Sequence, residues 1–268
     1  MKRLNGKMRE ELIKYIFSME NPSGGFNYPR DTPASIEETY YAIEILCRLE
    51  AEYTNMRTKR YVLRIDLGAD TYLKHLYQLT RICDYLGLSE KDAEIQATFL
   101  GRKRTARLLS DLPYHILLSK RYGRKVTPTK QWTELIMKKL DQKKVALSTC
   151  CKCVLIGEEL AIELPVNRLL DWIKKSQNYD GGFGFYPGTT SFLENVWYAV
   201  SSLHILGSKP NDVDECERFI LRCASNNGGF GRQMRALPTL EYSMMAVEGL
   251  IILDAMRSQN EGNLGEMR

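Results

Sequence analysis

The sequence predicts an all-α fold built from five or six helical hairpins. A Gly-Gly-Phe motif at the end of a helix-like segment occurs three times, ending at Phe26, Phe183 and Phe230. Each copy is followed by an apolar segment with helical periodicity, and no segment keeps the strand-type alternation of apolar and polar residues for long. Because self-similarity at a regular spacing is the signature of repeat architectures, we expect an array of similar helix pairs.

The Gly-Gly-Phe motif marks the turn inside each pair. Glycine readily adopts the positive φ angle that ends a helix, and the aromatic side chain after it can fold back as an apolar plug. The second helix of each pair is predicted over residues 35–49, 191–206 and 238–256. Each repeat is therefore expected to be a helix, a glycine turn and a second helix.

The spacing of the motifs predicts further, degenerate copies. Phe26 and Phe183 are 157 residues apart, whereas Phe183 and Phe230 are 47 apart. The longer interval fits three periods of about 52 residues, within the range that repeat arrays use. This spacing predicts two copies without a glycine turn, near residues 77 and 130.

The repeat pattern predicts one domain over residues 1–268, with degenerate repeats over about 53–165, and the composition is that of a globular protein. Hydrophobic residues make up 44% and charged residues 26%, which excludes a disordered or fibrous chain. No apolar run approaches the ~18 residues of a membrane span, and seven cysteines scattered through apolar segments favour the reducing cytoplasm. The net charge of +5 comes from runs interleaved with acids, so no nucleic-acid partner is expected.

One segment carries a resemblance to a known family. Residues 176–188 run Ser-Gln-Asn-Tyr-Asp-Gly-Gly-Phe-Gly-Phe-Tyr-Pro-Gly, and residues 198–207 follow with Tyr-Ala-Val and a final Leu-Gly. They resemble the repeat of protein prenyltransferase beta subunits and squalene cyclases, and residues 212–231 with Tyr242 and Ser243 are similar to the next copy. The resemblance implies an alpha-alpha toroid (α/α barrel) with an apolar central funnel for an isoprenoid or other hydrophobic small molecule, prenyl-group transfer, and a helical partner protein.

The resemblance also implies a zinc ion held by an Asp-x-Cys-Tyr motif and a later His. In this chain Tyr242 occupies the position of the motif's Tyr, while Thr239 and Glu241 occupy those of its Asp and Cys. No His follows His204. Zinc that activates a thiolate prefers sulfur, imidazole and carboxylate ligands. The sequence therefore predicts no metal-ligand set, and it leaves a divalent ion such as magnesium as an alternative cofactor.

The same resemblance indicates where the polar head of a prenyl substrate would lie. The basic pair that would hold a diphosphate is approximated by Arg232 and Arg235, each one residue out of register, and the family's diphosphate His corresponds to Phe192. Tyr242 and Glu241 fall on the reacting end of that region. They are the predicted catalytic residues.

Aligning the three clear repeats on their Phe reveals a polar stripe. Residues eleven, fifteen and eighteen positions after the Phe differ by four and seven, so they share one helix face. These positions hold Glu37, Glu194 and Glu241, then Tyr41, Tyr198 and Met245, then Glu44, Ser201 and Glu248. If the array closes with these faces toward its axis, the funnel has an acidic and aromatic lining. Such a lining stabilises positive charge and repels a naked diphosphate.

This alignment and the resemblance together give the predicted substrate-binding residues. They are Arg232, Arg235, Glu37, Tyr41, Glu44, Glu194, Trp197, Tyr198 and Glu248. A simpler interpretation of the first carboxylate in each repeat is that it complements the helix dipole, and residues 191–194 have the Ser-x-x-Glu spacing of a capping box.

Three functions remain open at this stage. The leading hypothesis is an isoprenoid-handling protein that acts in prenyl transfer. The second is a toroid without catalytic activity that binds a ligand or partner protein. The third is cyclisation of a terpenoid in an acidic, aromatic cavity, where carboxylates and rings would stabilise a carbocation.

Overall fold

The computed structural model describes residues 6–28, 32–102, 106 and 108–265, with side chains of the last helix described as far as Ser258. The regular secondary structure of the described residues is helical except for one short strand pair, which confirms the all-α prediction. The helices are α1 (Gly6–Ser18), α2 (Ile36–Arg48), α3 (Met56–Leu63), α4 (Leu73–Leu86), α5 (Ser89–Leu100), α6 (Leu112–Arg121), α7 (Lys130–Leu140), α8 (Leu147–Leu160), α9 (Val166–Lys175), α10 (Leu193–Ile205), α11 (Val213–Arg222) and α12 (Leu240–Gly265), and the strands are β1 (Phe230–Gly231) and β2 (Pro238–Thr239).

In chain order the helices of this described part form six pairs, in agreement with the predicted five or six. The second helices of the repeats are α2, α4, α6, α8, α10 and α12. No helix of the described residues combines the length and the apolar character that crossing a bilayer requires.

The prediction of two degenerate copies near residues 77 and 130 was wrong. Residue 77 lies inside α4 and residue 130 begins α7, and three helix pairs rather than two occupy the middle of the chain. The second helices begin at residues 36, 73, 112 and 147, so those repeats are 37, 39 and 35 residues long, whereas the two later steps are 46 and 47 residues long. Repeats without a Gly-Gly-Phe turn have shorter connections, so a single period does not describe the array.

The described chain is organised as two compact units. One comprises residues 7–127 with 227–229, and in it the second helices α2, α4 and α6 pack side by side. The other comprises Gly6 and residues 128–226 with 230–265, and in it α8, α10 and α12 form the corresponding row, flanked by α7, α9 and α11. The prediction of a single domain stays a prediction.

The aromatic residue of each Gly-Gly-Phe turn is a buried plug, as predicted. Phe26, Phe183 and Phe230 are fully buried. In two repeats a hydroxyl of the second helix accepts the plug's N–H, Thr39 Oγ1 from Phe26 at 3.0 Å and Ser243 Oγ from Phe230 at 3.0 Å. A buried N–H without a partner would cost free energy, so these bonds fix the turn against the helix that follows it.

Gly181 shows why the turn needs glycine. Its φ is +81°, and a Cβ built there would lie 2.1 Å from the carbonyl oxygen of Glu215 at the start of α11. Gly188 has a similar φ of +82°, but a Cβ there would meet no atom within 4 Å. A comparison of Gly181 with Gly188 therefore distinguishes the cost of the left-handed backbone from the cost of a steric clash.

We expect Gly181→Ala to destabilise the protein far more than Gly188→Ala. Gly188→Ala carries only the left-handed strain of a non-glycine residue, about 1–2 kcal/mol. Gly181→Ala adds an overlap with the neighbouring helix, and its cost should reach about 3 kcal/mol or more. Urea unfolding followed by circular dichroism measures both. Equal losses would show that the close approach to α11 contributes nothing to stability.

Candidate functional site

The predicted head-group residues come together at the N-terminal ends of α10 and α12, inside the unit formed by residues 128–226 and 230–265. Glu194 lies in the first turn of α10, and Tyr242 lies in the first turn of α12, directly after β2. Arg232 follows β1, and its carbonyl oxygen accepts the N–H of Leu193 at 2.9 Å. This backbone bond holds the segment after β1 against the start of α10.

Arg232 is held by a carboxylate and an aromatic ring. Its Nε lies 2.7 Å and its Nη2 2.5 Å from the same oxygen, Glu194 Oε1. Its guanidinium carbon lies 3.8 Å from the centre of the Phe192 ring and 5.7 Å from that of Phe185. The hydrogen bond with Glu194 raises the pKa of Arg232. The guanidinium is therefore charged, stacked and already paired.

Glu194 is used as an ion-pair partner rather than as part of a capping box. Phe192, not Ser191, is the N-cap residue of α10, and the cap makes no side-chain hydrogen bond. The Ser191 hydroxyl instead donates to Asp180 Oδ1 at 2.8 Å and accepts from Asn178 Nδ2 at 2.8 Å within the glycine turn. The capping-box prediction was therefore wrong.

Tyr242 lies beside the Arg232–Glu194 pair. Burial raises the pKa of its phenol, Glu194 raises it further, and Arg232 opposes that shift. The phenol is thus neutral at physiological pH and can exchange hydrogen bonds, but it is not poised to act as a base. Glu241 precedes it in the first turn of α12. The catalytic roles of Tyr242 and Glu241 stay predictions.

Arg235 has different surroundings from Arg232. It lies in the loop between β1 and β2, is exposed, and has a left-handed φ of +66°. The substrate-binding role predicted for it stays a prediction, and of the two arginines only Arg232 is packed on rings.

Next to the Arg232–Glu194 pair, α10 carries two aromatic residues, and α12 contributes Glu248 beside them. Trp197 and Tyr198 follow Glu194 at positions three and four residues on, so they share its helix face. Both are half-buried, and their ring centres lie 5.1 Å apart. Trp197 Nε1 donates to Glu248 Oε2 on α12 at 2.7 Å. The predicted residues Glu194, Trp197, Tyr198 and Glu248 therefore form one continuous face.

The remaining predicted residues lie in the other unit. Glu44 is almost fully buried, with 3% of its side chain exposed. It accepts from Arg81 Nε of α4 at 2.7 Å and also pairs with Arg48 one turn along α2. The hydrogen bond with Glu44 raises the pKa of Arg81. Tyr41 is buried on the same helix.

Glu37 is the half-exposed counterpart of Glu194 in that unit. Its Oε1 lies 2.9 Å from Lys74 Nζ and 3.5 Å from His75 Nε2. Burial alone would raise the pKa of Glu37, but the hydrogen bond and charge of Lys74, together with His75, lower it overall. The carboxylate is therefore ionised and paired.

Sequence reasoning missed a row of tyrosines in the same unit. Tyr40, Tyr77 and Tyr114 lie on α2, α4 and α6, with ring centres 6.4 and 5.8 Å apart. The signal was present, because the three residues are each 37 positions apart. It was overlooked because the alignment was anchored on Gly-Gly-Phe turns, which the later two of these repeats lack.

The residues at the implied zinc position do not fit that ion. Thr239 caps α12, since its Oγ1 accepts the N–H of Tyr242 at 3.1 Å and its carbonyl oxygen accepts from Ser243 Oγ at 2.7 Å. Among the residues that the structure describes, no three His, Cys, Asp or Glu side chains are grouped as metal ligands.

The two ion-paired carboxylates of the α2 unit should differ in their contribution to stability. We expect Glu44→Ala to lower the free energy of unfolding by about 2–3 kcal/mol, less than for a fully buried pair because Arg48 and Arg81 reach solvent. Glu37→Ala should cost less than about 1 kcal/mol, as half-exposed pairs do. Chemical denaturation of both variants tests this difference, and a cost for Glu37→Ala equal to that of Glu44→Ala would contradict it.

Three comparisons with known proteins point to one family. The family model of the prenyltransferase alpha-alpha toroid domain matches residues 1–67, 125–214 and 190–267. The chain is 22% identical to the geranylgeranyl transferase type-2 subunit beta of Saccharomyces cerevisiae over 273 residues, which covers 97% of this chain and 78% of that protein. Candida albicans protein geranylgeranyltransferase-I complexed with GGPP matches at 17% identity and a TM-score of 0.36, covering 91% of this chain and 78% of that one. The family match confirms the predicted toroid fold class.

Proposed function

Because the chain belongs to the prenyltransferase alpha-alpha toroid family, we propose that it binds an isoprenoid chain as part of a prenyl-transfer system. The observation that carries this proposal is the single face of α10 and α12 on which Trp197 and Tyr198 lead to the Arg232–Glu194 pair. The rings of Trp197 and Tyr198 lie between the Arg232–Glu194 pair and the Glu248 carboxylate. A hydrocarbon chain could pack on these rings while its head group meets the Arg232–Glu194 pair.

The binding free energy would come mainly from the aromatic part of this face. Removing apolar surface from water contributes about 25 cal/mol per Å², so a long branched hydrocarbon gains most of its affinity from its chain. The ring faces of Trp197 and Tyr198 can pack against its methyl groups and double bonds. The hydrogen bond from Trp197 to Glu248 holds the indole in place before a ligand arrives.

Catalysis of prenyl transfer by this chain is the second candidate. Its support is the position of Tyr242 beside Arg232, where the family resemblance places the reacting end of the substrate. Transfer requires that a diphosphate leave the allylic carbon and that cations stabilise it, but Arg232 is already neutralised by Glu194. Binding is therefore the function that the site supports best. Terpenoid cyclisation would need a carboxylic acid that protonates the substrate, whereas Glu194 and Glu248 beside this face are engaged with Arg232 and Trp197.

A helical partner protein is part of the proposal. The Saccharomyces cerevisiae relative is by name a subunit beta, and the resemblance implies pairing with an alpha-type subunit. Binding of the isoprenoid chain can be tested without that partner, since the proposed face lies on α10 and α12 of this chain alone.

Direct binding of isoprenoids to the full chain tests the proposed function. Farnesol, geranylgeraniol and their diphosphates would be titrated, with tritiated ligand or intrinsic tryptophan fluorescence as the signal. We expect at least one to bind, and Tyr198→Ala to weaken its binding by about tenfold through lost aromatic contact. Tyr179→Ala is the matched control, because Tyr179 is fully exposed on the tip of a glycine turn and should leave affinity unchanged.

Two outcomes would contradict or redirect the proposal. Failure of every isoprenoid to bind would remove it. Formation of an S-prenyl peptide or a cyclic hydrocarbon from a prenyl diphosphate, with the full chain alone, would replace binding with transfer or cyclisation as the function.

A further inference from the structure

The unit that contains α7–α12 has a cavity apart from the aromatic face of α10 and α12. This cavity of about 140 Å³ lies between the end of α7, the loop that follows it, α8 and the beginning of α9. Apolar side chains form most of its wall, namely Leu140, Val145, Cys150, Pro165, Leu169 and Trp172. The residues of the proposed isoprenoid face do not line it. An inference about this cavity is therefore independent of the proposed function.

The polar side chains in the wall of this cavity already have partners within the protein. Trp172 Nε1 donates to the carbonyl oxygen of Val145 at 2.8 Å, and Arg168 Nη2 donates to that of Leu140 at 2.6 Å. In the described chain, the residues that line the cavity carry no buried side-chain polar atom without a hydrogen-bond partner. A bound water needs polar partners, and this wall offers few of them. The cavity therefore suits an apolar group rather than water.

The volume of the cavity limits its occupant to one compact group. An apolar cavity of about 150 Å³ in another protein holds a single benzene molecule. A six-membered ring or a short branched chain therefore fits here, whereas a long isoprenoid chain does not. Burial raises the pKa of the Cys150 thiol to about 12, so this thiol stays protonated and behaves as a small apolar part of the wall. The cavity is thus a site for reversible binding and not for covalent attachment.

The charged groups around the cavity leave one cation without a partner. The polar residues that line it are Gln142, Lys143, Arg168 and Asp171. Arg168 pairs with Asp141 at 3.1 Å, and Asp171 pairs with Lys175 at 2.8 Å. Lys143 is exposed and has no ion pair or hydrogen bond with any other residue of the described chain. An anionic group on the occupant therefore meets a free ammonium group at the edge of the cavity.

We propose that this cavity binds small carboxylates that carry one ring or one branched chain, with phenylacetate as the representative. The apolar group fills the cavity, and the carboxylate lies at its edge beside Lys143. Removal of the apolar group from water supplies most of the affinity, because an exposed ion pair contributes little. Lys143 supplies the preference for a carboxylate over a neutral or cationic group of the same shape.

A matched ligand series tests the proposal on the full wild-type chain by NMR titration. The series is phenylacetate, its neutral amide phenylacetamide, the cation benzylamine, and acetate, which lacks the ring. We expect phenylacetate to bind about threefold more tightly than phenylacetamide at low salt, since an exposed ion pair is worth little more. Benzylamine should bind more weakly still, and acetate should not bind measurably. Failure of phenylacetate to bind, or acetate binding as tightly as phenylacetate, would overturn the proposal.

Two pairs of variants locate the ligand. Cys150→Leu places a larger side chain in the cavity and should weaken phenylacetate binding by about tenfold or more, whereas Cys150→Ala leaves the cavity open and should keep the affinity within about twofold. Lys143→Gln should abolish the preference for phenylacetate over phenylacetamide. Lys138→Gln makes the same change of charge at an exposed lysine outside the cavity wall and should preserve that preference. Thermal melts show which variants are folded, and Cys150→Val replaces Cys150→Leu if the latter is not.

The remaining outcomes decide between this site and its alternatives. Unchanged phenylacetate binding in the folded cavity-filling variant would place the ligand elsewhere and overturn the site. Tighter binding of benzylamine than of phenylacetate would overturn the class of ligand. Binding of the acetylated peptide Glu-Glu-Phe-Glu-Glu without binding of phenylacetate would overturn the small-molecule ligand and make the cavity a docking site for an acidic protein segment. None of these results bears on isoprenoid binding to α10 and α12, because the two sites share no residue.

Discussion

The packing of a glycine turn against the next helix pair is the constraint on which the rest of the structure depends. At Gly181 a Cβ would lie 2.1 Å from the carbonyl oxygen of Glu215, and in the other unit a Cβ at Gly24 would lie 2.3 Å from that of Arg57. The Phe that follows each turn is buried completely. Because backbone touches backbone there, the start of each such second helix is fixed relative to the following repeat, and so are the side chains of its first turn.

This fixed offset between repeats determines which cations the glutamates of the second helices meet. Glu37 pairs with Lys74 and Glu44 with Arg81, each 37 residues further on, and Glu194 pairs with Arg232, 38 residues further on. A carboxylate of one repeat thus meets a cation of the next. Glu37, Glu44 and Glu194, three glutamates of the predicted stripe, are therefore neutralised by ion pairs within their own units.

The same arrangement relates the fold to its proposed ligand. Helices α10 and α12 are joined through Trp197 and Glu248, so the aromatic face is rigid where a flexible hydrocarbon would lie. Rigid apolar contacts reduce the entropy lost on binding. In the proposed function, the rings of Trp197 and Tyr198 would therefore supply most of the affinity for the hydrocarbon chain.

The sequence by itself determined the all-α class, the helix pairs, the three glycine turns with their buried Phe plugs, and the shared face of Glu194 and Tyr198. These follow from local spacing and from the conformational preferences of glycine. Only the tertiary structure decided that three pairs fill the middle of the chain, that Tyr40, Tyr77 and Tyr114 form a row, and that Arg232 is paired with Glu194. Those contacts join residues a whole repeat apart. The length of a repeat varies with the length of its loops, and the periodicity within one helix carries no information about that length.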